Sequence, residues 1–421
     1  MTHTSRRNFL KAASAAALLP MPAIAQGNGP RVVVIGGGFA GASAARSIKA
    51  ANKTITVTLV EANPTFTACP FSNGVIAGLR QLRQQQFNYE KVADAGVSLA
   101  FQPATAVDAE KRSVTLSGGT QFAYDRLVMA PGIDLRLDGA LPGYDARAAD
   151  LMPHAWKAGE QTLLLRSQIE SMEDGGTVVI VAPANPFRCP PGPYERASLI
   201  AHYLKTRKPK SKLVILDAKD VFSKQRLFQN AWKELYPNLE WVSLSQGGKV
   251  TSVDVASKTL KTDFGDHKAD VANVIPPQRA GAIAQSAGVA DRSGWCPVDP
   301  VTFESKLVPN IHVIGDAAIM GAMPKSAFSA NSQAKVCATA VTALLRGDKP
   351  TEPRLINTCY SLVAPDYGIT VAGVYKPANG VLADIEGAGG VSPADAPASQ
   401  RALEAQFAEG WFKTITGEVF G

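Results

Sequence analysis

None of the five cysteines stands in a C-x-x-C-H motif, so no c-type haem is bound covalently by this chain itself. The five histidines (His3, His154, His202, His267, His312) are scattered and form no ligand spacing with the cysteines, and no metal is expected. Runs of apolar residues long enough to cross a bilayer are missing, so no stable membrane insertion is expected. Basic clusters interleaved with aromatics are missing too. The formal net charge of +7 is small for 421 residues, and Arg6, Arg7 and Lys11 contribute to it from a segment expected to be removed. Nucleic acid is therefore not an expected partner. Apolar residues make up 46% and charged residues 19%, the balance of a globular protein, and the length suits two or three domains.

A second glycine loop is the most telling absence. Two stretches read as dinucleotide-type strands. The first, Arg31-Val32-Val33-Val34-Ile35, runs into Gly36-Gly37-Gly38-Phe39-Ala40-Gly41, a G-x-G-x-x-G loop. The second, Thr177-Val178-Val179-Ile180-Val181, runs into Ala182-Pro183-Ala184-Asn185-Pro186-Phe187-Arg188-Cys189-Pro190-Pro191-Gly192. Prolines and side chains there leave a pyrophosphate no close path to backbone amides. One dinucleotide is expected, not two, and NAD(P)H is not the expected electron source.

Gly36 allows the tight turn, Gly38 the approach of a pyrophosphate, and Gly41 the packing of the following helix, expected over residues 40–50. A second strand, residues 55–60, ends at Glu61, placed to bond ribose hydroxyls. Further on, Asn310-Ile311-His312-Val313-Ile314-Gly315-Asp316 reads as a strand ending in Gly-Asp. It resembles the second signature of two-dinucleotide flavoproteins, in which the Asp bonds the ribitol chain, and it favours FAD over NAD. A helix beginning near Ala330 would turn its positive end toward the flavin. The expected fold is α/β with two Rossmann-like, glutathione-reductase-like domains plus a small C-terminal α+β domain. The expected boundaries are 30–138 with 272–350 for a discontinuous FAD-binding domain, 139–271 for the inserted second unit closed by a strand at 271–275, and 351–421 for the C-terminal domain.

A targeting segment is expected over residues 1–25. Ser5-Arg6-Arg7-Asn8-Phe9-Leu10-Lys11 matches the twin-arginine pattern, a short apolar stretch follows, and Ala23-Ile24-Ala25 resembles a cleavage site. Export to the periplasm is expected, where disulfides are permitted.

Among the cysteines, Cys189 precedes a helix expected over residues 194–205, and a helix N-terminus stabilises a thiolate. Glu195, six residues on, is either a favourable first-turn charge or a group that handles a proton nearby. Cys359 is the chosen far partner for Cys189, although four cysteines allow three pairings. Cys296 and Cys337 read as buried thiols. Cys69 follows the ribose-binding strand; position alone leaves it either a small buried cysteine or a neighbour of the flavin ring.

With these residues in hand, the chain resembles the flavin-binding subunit of flavocytochrome c sulfide dehydrogenase, with the related sulfide:quinone oxidoreductases sharing the fold. The likeness is most specific over residues 185–203, 276–281, 294–299, 324–335 and 357–368. It implies that Cys69 holds FAD by a thioether, that Cys189 and Cys359 form a redox disulfide beside the flavin, and that Glu195 is a catalytic acid/base. Hydrosulfide would open that disulfide, electrons would pass through FAD, and a separate c-type cytochrome would receive them. A sulfide:quinone oxidoreductase is the alternative enzyme; the tail at residues 401–412, short and carrying Glu404 and Glu409, suits an anionic membrane poorly. An accessory flavoprotein of a sulfur-oxidising complex, with little turnover of its own, is the alternative outside that class.

Overall fold

The computed structural model describes residues 29–421. The twin-arginine motif and the Ala23-Ile24-Ala25 site lie outside the described residues.

Two parallel sheets carry the chain. The first has five strands in the order Ile311–Val313, Arg126–Met129, Arg31–Ile35, Thr56–Glu61, Ser98–Phe101. Its central strand is buried from Val32 to Ile35, as a strand covered on both faces must be. The helix Phe39–Ala51 packs against the helix Ala327–Arg346. Small residues on both, Ala42 and Ala45 on one and Ala334 and Ala338 on the other, are buried and let the backbones approach. The second sheet has four strands in the order Leu239–Val242, Lys212–Asp217, Thr177–Ala182, Val271–Val274.

The chain leaves the first sheet after Met129 and returns to it at Ile311, so the second unit is inserted in the first. The two crossings meet in an antiparallel pair, Ile133–Leu135 with Gln278–Ala280. Because Val271–Val274 pairs with Val178–Val181, a boundary between residues 271 and 272 would cut a strand; the return begins after Val274.

The C-terminal unit is α+β. Leu355–Ala364 and Tyr367–Ala378 form a long antiparallel pair extended by Val381–Asp384, and the helix Ala398–Val419 packs on them. This helix corrects the expectation of a short tail at residues 401–412. It has 22 residues, and Glu404 is buried, accepting hydrogen bonds from the hydroxyls of Thr370 at 3.1 Å and Ser392 at 2.5 Å. Glu409 is tied to Arg80 at 2.7 Å. These carboxylates fasten the helix to the protein, so they carry no argument about a membrane surface. No helix among the described residues is long and apolar enough to cross a membrane.

Candidate functional site

The glycine loop is fixed by its own backbone. Gly36 has φ +97°, and a Cβ there would stand 2.3 Å from the carbonyl oxygen of Ala130. At Gly41 a Cβ would stand 1.8 Å from the Gly36 oxygen, so the helix could not pack as it does. Gly38 differs, because a Cβ there would meet only the Phe66 ring, at 3.4 Å. Nothing in the chain itself forbids a side chain at Gly38, which leaves the approach of a ligand as the reason for glycine. Glu61 accepts a hydrogen bond from the Gly37 amide at 2.6 Å and closes the loop onto the second strand.

Opposite this loop, Gly315 has φ +72° and donates its N–H to the Gln333 side chain at 2.8 Å. The Oδ1 of Asp316 is buried without a partner. Burial pushes this carboxyl above the ordinary range, against the pull of Arg188 and Lys325. An unpaired buried oxygen at this depth is costly unless a bound group donates to it. A dinucleotide with a hydroxylated linker would fit: the loop amides and helix N-terminus would face its pyrophosphate, Glu61 a ribose, and Asp316 the linker hydroxyls. No metal-ligating group of His, Cys, Asp or Glu exists among the described residues.

One cavity of about 440 Å³ is lined by Gly36, Gly38, Glu61, Cys69, Cys189, Glu195, Gly315, Asp316 and Cys359. Of the site residues expected from the sequence, only Gly41 is not part of its wall. Three chain units thus contribute to one space.

All five cysteines are free thiols in the structure. Cys69 lies in the loop before the short helix Ser72–Ile76, with its sulfur 3.8 Å from the Trp156 carbonyl oxygen. Cys189 has a left-handed backbone, φ +57°, and donates its N–H to the Lys325 carbonyl at 2.8 Å. The helix that follows, Gly192–Arg207, was expected to stabilise a Cys189 thiolate. The opposite holds: burial first, then Glu195 and Cys359, push this thiol far up. Cys359 sits within the strand Leu355–Ala364, where the Asn357 amide reaches its sulfur at 3.3 Å. Cys296 and Cys337 are fully buried, and neither lines the cavity.

Glu195 is held by the Asn73 amide at 3.3 Å and the Leu362 backbone amide at 3.2 Å. Burial outweighs these bonds and the nearby Lys224 and Arg196, and raises its carboxyl. A half-buried carboxyl biased toward its protonated form can exchange a proton in this cavity.

Several supporting groups carry no sequence motif. Arg196 is buried and its guanidinium is bound to the Asn73 side chain at 3.0 Å, the Asn273 side chain at 2.9 Å and the carbonyls of His154 and Ala155 at 2.9 and 2.7 Å. Lys224 reaches the Cys359 carbonyl from the second unit. The one missed residue with a signal was Asp217, which ends the second strand of the second unit as Glu61 ends that of the first. Asp217 is fully buried, bonded by the hydroxyl of Tyr194 at 2.6 Å, the indole of Trp241 at 2.9 Å and Lys219 at 2.5 Å. Tyr194 stacks on Phe222 at 3.6 Å between centroids. Side chains of the protein occupy what a second ribose would need.

Comparison with known proteins agrees with this arrangement. Residues 162–276 match the central domain of the sulfide dehydrogenase [flavocytochrome c] flavoprotein chain, residues 351–420 the flavin-binding domain of flavocytochrome c sulphide dehydrogenase, and residues 30–180 the pyridine nucleotide-disulphide oxidoreductases. The sulfide dehydrogenase [flavocytochrome c] flavoprotein chain of Chlorobaculum thiosulfatiphilum is 56% identical over 45 residues, which is 11% of this chain and 94% of the relative. An NADH dehydrogenase-like protein of Mycobacterium tuberculosis is 34% identical over 133 residues, 27% of this chain and 29% of that protein. Among solved structures, the sulfide:quinone oxidoreductase of Aquifex aeolicus superposes with a TM-score of 0.68 over 92% of both chains at 16% identity. A NAD-dependent persulfide reductase from A. fulgidus gives 0.62 over 82% of this chain and 64% of that one, at 19% identity. At such identities the structural likeness shows the shared two-dinucleotide fold.

Proposed function

The chain belongs to the family of the flavocytochrome c sulfide dehydrogenase flavoprotein, and on that premise we propose that it oxidises sulfide through a Cys189–Cys359 disulfide and a flavin, for a c-type cytochrome. The observation that carries this reading is the single cavity in which Cys189, Cys359 and Glu195 share walls with the dinucleotide-binding glycines and Asp316.

Hydrosulfide attacks one sulfur of the disulfide. A new S–S bond forms, the old one breaks, one cysteine becomes a persulfide and the other leaves as a thiolate with the electron pair. Glu195, bonded to the strand that carries Cys359, is placed to exchange a proton with the persulfide that forms. Arg196 and Asn73 hold Glu195 and the start of its helix against the first unit. The loop glycines, Glu61 and Asp316 would hold FAD, which would supply two-electron acceptance together with one-electron release. Cys69, in the same wall, is proposed to hold it covalently. The leader at residues 1–25 is proposed to take the protein to the periplasm, where the cytochrome would dock.

The quinone-linked alternative shares the fold with its structural neighbour, but the residues matched at 162–276 and 351–420 favour the cytochrome-linked one. The deciding experiment is an anaerobic sulfide titration of the purified holoprotein followed by addition of oxidised cytochrome c or a soluble quinone. Bleaching by sulfide and rapid reoxidation by cytochrome are expected. No bleaching would end the sulfide reading, and reoxidation by the quinone alone would end the cytochrome one.

A further inference from the structure

Arg196 is buried, and a buried guanidinium is costly unless its N–H groups are paired. It makes four hydrogen bonds, all to neutral oxygens. Three of those oxygens belong to the two segments of chain between which Cys69 lies, and the fourth belongs to Asn273.

The first segment carries Cys69 itself. The Cys69 carbonyl accepts the Ser72 N–H at 3.0 Å, and Phe71, with a left-handed backbone of φ +66°, turns the chain into the helix Ser72–Ile76. Asn73, in that helix, accepts from the Arg196 Nε at 3.0 Å. A short hydrogen-bonded turn thus connects Cys69 to the guanidinium. The second segment is the stretch 153–156. Ala155 there is left-handed, φ +46°, a conformation that residues with a Cβ seldom adopt. Arg196 holds the carbonyls on both sides of this kink, those of His154 and Ala155, and its guanidinium lies 5.0 Å from the centre of the Trp156 ring. The Trp156 carbonyl is the one that the Cys69 sulfur approaches at 3.8 Å. Asn273, in the second sheet, braces the arrangement. Its side-chain oxygen accepts from Arg196 at 2.9 Å, and its amide donates to the carbonyls of Pro153 and His154 at 2.7 and 2.8 Å.

We propose that Arg196, braced by Asn273, is a positioning residue for flavin attachment: it clamps both segments and so holds the Cys69 sulfur at one place in the cavity wall for thioether formation. This rests on the reading of Cys69 as the attachment residue. In the attachment, the Cys69 S–H bond and one C–H bond of a flavin ring methyl break, and a C–S bond forms. Sulfur and carbon together lose two electrons. The flavin ring is the oxidant and takes them with the two protons, so no further reactant is needed. Arg196 acts through the backbone it holds. The requirement is strict, because a displacement of about 1 Å can cost about a hundredfold in rate.

The test uses the full chain, produced under riboflavin limitation and then loaded with FAD. Acid-stable flavin is followed with time, and total bound flavin is measured by gel filtration at neutral pH. Arg196→Met should bind FAD yet attach it at least about tenfold more slowly than the native chain. Asn273→Leu changes no charge and should slow attachment by about tenfold or more as well. Tyr194→Phe loses a buried bond in the same helix without touching either segment, and should attach FAD at the native rate. A native rate in Arg196→Met overturns the proposal. So does a native rate in Asn273→Leu, which would make the charge of Arg196 the cause and not its clamp. Equal slowing in Tyr194→Phe overturns it too, as a general effect of lost stability, and so does a folded Arg196→Met that binds no FAD. If Arg196→Met does not fold, Asn273→Leu decides by the same criterion. A native chain that binds FAD without ever making it acid-stable removes the Cys69 reading; a native chain that attaches FAD no faster than Arg196→Met removes this proposal alone.

Discussion

Glu195 accepts a hydrogen bond at 3.2 Å from the backbone amide of Leu362, three residues beyond Cys359. That bond ties the helix that follows Cys189 to the strand that carries Cys359. The second carboxylate oxygen takes the Asn73 amide, from the short helix that follows Cys69. All three units of the chain thus meet at one half-buried acid.

Glu195→Gln keeps the size and an acceptor for Leu362 but loses the ionisable group. Burial raises the Glu195 carboxyl in the folded protein. Between its unfolded and folded values the native state holds a proton that the unfolded chain releases, so stability falls as pH rises through that window. The variant lacks this loss. It should melt higher than the native protein at pH 8, with the difference shrinking at pH 4, while sulfide-dependent bleaching slows by about a hundredfold. Calorimetry at both pH values and stopped-flow bleaching check this; native-rate bleaching in Glu195→Gln would remove its role.

Cys189→Ala and Cys359→Ala should each lose sulfide-dependent bleaching by orders of magnitude with flavin content unchanged, because neither leaves a disulfide to open. Cys296→Ala and Cys337→Ala, in buried sites outside the cavity, should react nearly as the native protein does. Full bleaching in either of the first two variants would refute the pair, as would a peptide map showing Cys189 bridged to Cys296 or Cys337.

The flavin should remain with the protein after acid precipitation, and Cys69→Ser should release it. Cys69 lies in the cavity wall near the Trp156 carbonyl. Acid-released FAD from the native protein, or an acid-stable yellow Cys69→Ser, would falsify the covalent link.

Much of the fold was legible because its signals are backbone signals. Gly36 and Gly41 are glycines for steric reasons that hold wherever this loop occurs, and the apolar runs of the two parallel sheets are buried on both faces. The C-terminal helix was read too short because Gly410 and Gly417 interrupt it and Thr414 and Thr416 are weak helix formers; packing on the sheet holds it instead. The thiol of Cys189 was misread for a related reason: a helix start is visible in sequence, whereas depth of burial and the approach of Glu195 are not. Lys224 and Asn73 were invisible because their reach is set by tertiary structure, across 135 residues in one case and 122 in the other.

NADH and NADPH should each reduce the flavin at less than about a hundredth of the sulfide rate. Two features of the second unit lead to this. The turn after Thr177–Ala182 offers Pro183, Pro186 and Pro190 where a pyrophosphate would need free amides. The acidic residue that would take a ribose, Asp217, is already bound by Tyr194, Trp241 and Lys219 beneath the stacked Tyr194 and Phe222 rings. A nucleotide would have to break those bonds and expel aromatic side chains before gaining any contact of its own. Removing one donor shows how committed the residue is: Tyr194→Phe leaves part of a buried carboxylate unpaired and should lower stability by about 1–3 kcal/mol in chemical denaturation, with no gain in pyridine-nucleotide activity. Rapid anaerobic bleaching of the native protein by NADH or NADPH would show that the second unit still binds a nucleotide. A Tyr194→Phe variant of native stability would show that Asp217 is not sealed as the geometry requires.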